Sequence, residues 1–301
     1  MNLWNKIKNL WKGKKKKNQI QSTEEIAEEK SELAKEEETV ENECSQKRVM
    51  IRKEIHVACP TMSKREYKKK MKEDANWMPG LEALDEELGQ LYEDQKPERL
   101  DRAMLSKVNR GSGKQLDGYC FYTSINGYKH LISYGMSELY AKEEAYGQEK
   151  SKWGYEMTMK LAQERTMDAM WATNIMANLA RYTFTSEECL SNGMLISGDG
   201  TPLKPHTNSK ITALLVTEDE ELPLLPTLNG TVQFLQLVGI TQEENEWLKA
   251  HPDQIEQFIA AMKEENPMLV TDLNREENCK IITEEDGITD LKDECVSTVE
   301  E

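Results

Sequence analysis

Cysteine, histidine and long apolar runs are all scarce in this chain, and each scarcity removes a class of explanation. The six cysteines (Cys44, Cys59, Cys120, Cys189, Cys279 and Cys295) stand at least fifteen positions apart. No Cys-x-x-Cys pair therefore offers a zinc site or a thioredoxin-type redox centre. Nothing in their placement demands bridges, which fits a reducing, cytoplasmic compartment. Only four histidines occur, His56, His130, His206 and His251, and none has His-Glu-x-x-His or comparable ligand spacing. No metal and no cofactor is expected. No segment approaches the roughly 20 apolar residues that cross a bilayer, and the N-terminus lacks the apolar run of a cleavable signal.

What the chain has in quantity is charge, arranged in blocks. Of its 301 residues 38% are hydrophobic and 31% charged, so part of the length is expected to stand outside a core. Residues 1–22 carry +7, residues 23–43 carry −8, residues 44–72 carry +8 and residues 276–301 carry −8. The intervening body, residues 73–275, carries −15 of the net −16. An acidic body repels phosphate, so nucleic acid is not an expected ligand, whereas a basic protein partner suits it.

Three regions follow from this patterning: residues 1–75 as a basic amphipathic N-terminus plus charged linker, 76–276 as one globular domain, and 277–301 as a loose acidic tail. Leu3, Trp4, Ile7, Leu10 and Trp11 share one helical face, and Lys6, Lys8 and Lys12 occupy the rest. Such a segment fits peripheral contact with the inner face of a membrane, and it fits a protein groove as well. Ser22-x-x-Glu25 spells a capping box, and Ile26, Leu33 and Val40 then recur every seven residues without a matching second seam.

Within the domain, Leu81, Leu84, Leu88 and Leu91 predict a helix, with a short helix over 98–108. Strands are expected at 117–125 and 128–134 around the turn Asn126-Gly127. The run Tyr155 to Leu161 alternates, with Tyr155, Met157, Met159 and Leu161 on a buried face and Glu156, Thr158 and Lys160 on a wet one. Trp171, Ile175, Leu179 and Tyr182 mark a helix over 166–184. Short strands follow at 194–196, 211–216 and 232–238, the last apolar enough on both faces to be central. Thr241-x-x-Glu244 caps a helix broken at His251-Pro252, and Ile255 to Met262 form the final one. The order predicts an α+β fold, a mostly antiparallel or mixed sheet flanked by helices.

No catalytic constellation emerges. Gly135-Met136-Ser137-Glu138-Leu139 starts like a nucleophile elbow, yet Leu139 stands where a second glycine is required; Ser137 reads as a turn residue. Gly113-Lys114 lacks the earlier glycine and the following Ser/Thr of a phosphate loop. His130, heading an apolar strand, reads as a satisfied core or edge histidine. Glu138 and Glu156 could form an acid–base pair for a hydrolase, the alternative being wet-face carboxylates paired with Lys160 or Arg181.

The segments Ser133–Glu143 (SYGMSELYAKE) and Ser151–Leu161 (SKWGYEMTMKL) resemble the paired signature of the suppressor of fused domain. Further motifs run in order: Leu116-Asp117-Gly118, NLARYTF at 178–184, PLKPHTNSKITALLVTEDEEL at 202–222, TLNGTVQFLQLVGIT at 227–241 and LVTDLNR at 269–275. The resemblance spans about 77–276 and implies a mixed sheet with flanking helices. It implies a binding module rather than an enzyme. The animal protein clamps an extended peptide of a transcription factor as an added strand between two domains, and this chain resembles the first of them. Stand-alone bacterial copies resemble immunity proteins that neutralise a cognate toxin, which the acidic body would suit if that toxin were basic. An adaptor at the membrane is the alternative. Tyr134, Glu138, Trp153 and Glu156, which lie in the paired motif, are the expected partner-facing residues.

Overall fold

A computed structural model describes residues 62–93, 95–101, 115–163 and 165–282. The readings for residues 1–61, 102–114 and 283–301 lie outside the described residues. Helix α1 (Lys64–Glu73) and helix α2 (Pro79–Leu91) precede strand β1 (Glu98–Asp101). Strands β2 (Gly118–Thr123), β3 (Lys129–Tyr134) and β4 (Lys150–Leu161) lead into the long helix α3 (Thr166–Ser186). Then come β5 (Leu195–Ile196), β6 (Ile211–Glu218), β7 (Leu225–Thr227) and β8 (Gly230–Thr241), followed by α4 (Gln242–Ala250) and α5 (Ile255–Glu265).

The strands form one open mixed sheet in the order β1-β2-β3-β4-β8-β6-β5, with β7 added to β8. Only β4 and β8 pair in parallel; the other named pairs are antiparallel. β8 is central, as its two-sided apolar character requires. The α+β reading, a mixed sheet flanked by helices, matches this architecture.

Alternation along the strands sorts side chains onto two faces. On one face Leu131, Met157, Met159, Leu214 and Leu235 pack against α3 through Ala172, Ile175, Met176 and Leu179. The opposite face holds two apolar clusters. Cys120, Tyr122, Ile132, Tyr134 and Phe234 meet Leu84 and Leu88 of α2, while Ala213, Leu215, Val238 and Ile240 meet Leu248 of α4 and Phe258 of α5. Between these clusters lie the even-numbered residues of β4. Glu156, Thr158 and Lys160 are buried there, which corrects the expectation of a wet face: the Gly135 turn covers Glu156, and the loop after β6 meets Thr158 and Lys160.

Three further readings move. Residues 64–73, read as linker, are a helix whose Ser63–Glu66 capping box is complete and whose Tyr67 is buried. Residues 98–101 are an edge strand rather than the start of a helix. Past position 276, Cys279 and Ile282 pack into the cluster under α5.

Candidate functional site

The seam between the two apolar clusters is the chemically richest part of the described residues. Asp219, in the loop after β6, is wholly buried. It accepts from Lys160 Nζ at 2.8 Å, Thr158 Oγ1 at 2.7 Å and His130 Nε2 at 2.9 Å. The backbone N–H of Glu221 adds a contact of 3.1 Å. With Nε2–H given to Asp219, His130 Nδ1 accepts from the Tyr92 hydroxyl at 2.6 Å. Lys160 also reaches Glu221 at 2.9 Å, and Glu221 accepts from the Tyr128 hydroxyl at 2.5 Å.

Burial alone would raise the Asp219 pKa, but the Lys160 ammonium and the hydrogen bonds from His130 and Lys160 outweigh it and hold the carboxyl well below the usual range. Burial likewise pulls Lys160 down, and Asp219 and Glu221 outweigh it, leaving the ammonium raised. Burial also drives the Tyr92 and Tyr128 phenols far up. A shallow recess lined by Lys160, Glu218, Glu220, Gln236, Lys263 and Met268 opens beside this network. His130 is thus a satisfied core histidine, as the sequence indicates.

A second buried carboxylate organises the Gly135 turn. Glu156 Oε1 accepts from Gly135 N at 3.0 Å, Ser137 N at 2.9 Å and Ser137 Oγ at 2.6 Å. Its Oε2 accepts from Ser133 Oγ at 2.6 Å and Met136 N at 3.3 Å. Consecutive N–H groups cradling one anion make a nest. Gly135 allows it: its φ is +118°, and a Cβ there would lie 2.8 Å from the Asp117 nitrogen. Burial pushes the Glu156 pKa up against the pull of these donors.

The four residues singled out from sequence separate. Glu156 is buried in its nest, and Tyr134 is buried with its hydroxyl donating to Asp85 at 3.2 Å. Neither side chain faces solvent. Glu138 is half-buried and pairs with Lys142 at 2.6 Å. Trp153 is half-buried, its ring edge-on to Phe184 at 5.3 Å. Lys160 pairs with Asp219, and Arg181 donates to Asn178, so neither serves Glu138 or Glu156. Glu156 has no access to water in which to act as acid or base. Among the described residues no group of His, Cys, Asp and Glu is arranged to hold a metal ion, and no helix is long and apolar enough to cross a membrane.

Sequence reasoning missed Asp219, His130 and Lys160 as one cluster, because Thr217-Glu218-Asp219-Glu220-Glu221 reads as a solvated charge run. The available signal was Lys160 in an otherwise apolar strand, a cation that must find a partner if that face is covered.

Comparison with known proteins connects this fold to relatives. A family profile described as Suppressor of fused protein (SUFU) matches residues 112–276. The Suppressor of fused homologs of Homo sapiens and Mus musculus are each 32% identical over 213 residues, covering 66% of this chain and 43% of theirs. The chain thus spans less than half the length of these curated relatives. The crystal structure of Drosophila Suppressor of Fused aligns at 26% identity with a TM-score of 0.55, covering 72% of this chain and 55% of that one. A chain of the Sufu–Fu complex crystal structure aligns at 26% identity with a TM-score of 0.57, covering 69% of this chain and 95% of that one. With the matched residues running from the approach to β2 through the segment after α5, this chain belongs to the suppressor of fused family.

Proposed function

We propose that this chain is a non-catalytic protein-binding module of the immunity type, which binds and neutralises a basic toxin domain. The observation that carries the binding role is the Sufu–Fu complex: its matched chain corresponds over 95% of its length to the part of the fold present here. A relative whose fold this chain shares thus stands in a protein complex, which supports a protein partner here. Burial of Glu156 in its nest supports binding over hydrolysis, because its oxygens are engaged by five donors. The −15 body supports a basic partner.

In this reading Glu156 and Tyr134 act from beneath. They fix the turn that presents Glu138 and, beyond it, Tyr140, whose side chain is 42% exposed. Trp153 stands on the same stitched segment through its N–H to Met136 O at 3.1 Å. Aromatic anchors beside polar groups are the usual make-up of a binding hot spot. The test is affinity purification of the full chain from its source at physiological salt, with partners identified by mass spectrometry. Recovery of a basic toxin-like protein, weakened in Tyr140→Ala and Trp153→Ala variants that remain folded, is the expected result. Recovery of no protein partner would overturn the proposal.

A further inference from the structure

Helix α1 lies N-terminal to the residues matched by the family, 112–276, and one side chain does most to hold it. A helix of 10 residues is marginal by itself in water, and in α1 only Tyr67 is buried. The Tyr67 ring meets Trp77 and Tyr146, each with centroids 4.9 Å away. The Tyr146 hydroxyl donates to Met62 O just ahead of the helix, and Lys70 lies over the Trp77 ring at 4.2 Å. Lys68–Glu143 at 2.5 Å and Lys70–Glu82 at 3.8 Å join side chains that are at least 40% exposed. Such pairs contribute little and weaken with salt.

The Tyr67 hydroxyl ends inside the hydrogen-bond network of the domain. It accepts from Lys142 N at 3.0 Å and donates to Asn229 Oδ1 at 2.8 Å. Asn229 is buried and gives its NH2 group to the carbonyls of Glu138 at 2.8 Å and Tyr140 at 3.0 Å. Ala141 N donates to Trp77 O at 3.2 Å, and the Lys142 ammonium pairs with Glu138 at 2.6 Å. One hydroxyl therefore orients the amide that holds residues 138–140 and satisfies the N–H of Lys142. Its withdrawal leaves that N–H without its acceptor and lets the Asn229 amide turn. We propose that α1 is a detachable strap: docked, it orders residues 138–142, and released, it loosens them and weakens partner binding. A loosened segment must be ordered again on binding, which lowers the apparent affinity. The control of binding rests on the reading of Glu138 and Tyr140 as partner-facing; the coupling between α1 and the segment stands without it.

The experiment is residue-resolved amide hydrogen exchange on the full chain, comparing wild type with Tyr67→Phe and Tyr67→Ala. In Tyr67→Ala, exchange in α1 and at Ala141 and Lys142 is expected to rise together by about tenfold or more, while Gly135, Met136 and Ser137 keep the wild-type rate. Tyr67→Phe is expected to raise exchange at Lys142 by about fivefold. An opened α1 beside wild-type protection at Ala141 and Lys142 would overturn the coupling, and so would equal loss throughout β3 and β4. Should Tyr67→Ala fail to fold, Lys142 in Tyr67→Phe decides, and wild-type protection there would overturn it. Affinity for the protein recovered by purification is expected to fall about tenfold in folded Tyr67→Ala; unchanged affinity would overturn the regulatory role. The exchange readout needs no partner, so failure of the strap and failure of the binding reading are told apart.

Discussion

Lys160 Nζ and Asp219 Oδ1 lie 2.8 Å apart with side chains only 1% and 0% exposed, a full ion pair on the covered face of the sheet. The two residues are 59 positions apart, so the pair pins the loop after β6 across β4. Its removal is more informative than its presence, because a buried charge left without its partner is far costlier than the pair is stabilising. Asp219→Asn strands Lys160 with Glu221 alone and is expected to cost about 3–5 kcal/mol. Glu221→Gln, at the wetter edge of the network, is expected to cost about 1 kcal/mol or less. Urea unfolding of the two variants checks the order.

The same cluster sets a pH window. Asp219 has a folded pKa below its unfolded value, since Lys160 and His130 overcome burial. Its contribution is present above the unfolded value, about 3.9, and is lost as pH falls below it. Lys160 has a raised folded pKa, so its contribution is present below about 10.4 and lost as pH rises through the folded value. Unfolding free energy measured against pH is expected to fall on the acid side below about pH 4, and Asp219→Asn is expected to flatten that acid limb. An unchanged limb in the variant would assign the acid loss to other carboxylates.

The elements were legible in the sequence where one period dominated. The Leu84–Leu88 spacing, the Asn126-Gly127 turn and the Thr241–Glu244 capping box all stand where the pattern puts them. What the period could not reveal is what covers a polar face. Glu156, Thr158 and Lys160 alternate like solvent-facing residues, and only the fold brings the Gly135 turn onto Glu156 and Asp219 onto Thr158 and Lys160. The paired motif likewise does not show that Tyr134 turns inward, its ring beneath Arg99 and its hydroxyl on Asp85, both from distant elements.

Glu156 gives a direct test of the nest. Glu156→Gln replaces one acceptor oxygen with an NH2 group facing Ser137 or Ser133, so a donor meets a donor. The expected cost is about 2–3 kcal/mol, the penalty for leaving buried polar groups unsatisfied. Loss of amide hydrogen-exchange protection is expected at Gly135, Met136 and Ser137 before the rest of β3. Uniform loss across the sheet would indicate that Glu156 supports the whole core and not the turn.

Tyr67 decides where the domain begins. Its side chain fills a site between Trp77 and Tyr146, and its hydroxyl is shared between Asn229 and Lys142 N. Asn229 in turn donates to the carbonyls of Glu138 and Tyr140 at 2.8 and 3.0 Å, so α1 buttresses the segment that follows the Glu156 nest. Tyr67→Phe keeps the packing and removes one hydroxyl, with an expected cost of about 1 kcal/mol. Tyr67→Ala empties the site and is expected to cost about 3–5 kcal/mol. A chain beginning at residue 76 loses the helix altogether, and its melting midpoint is expected to fall below that of a chain beginning at residue 62. Equal midpoints would return α1 to the linker.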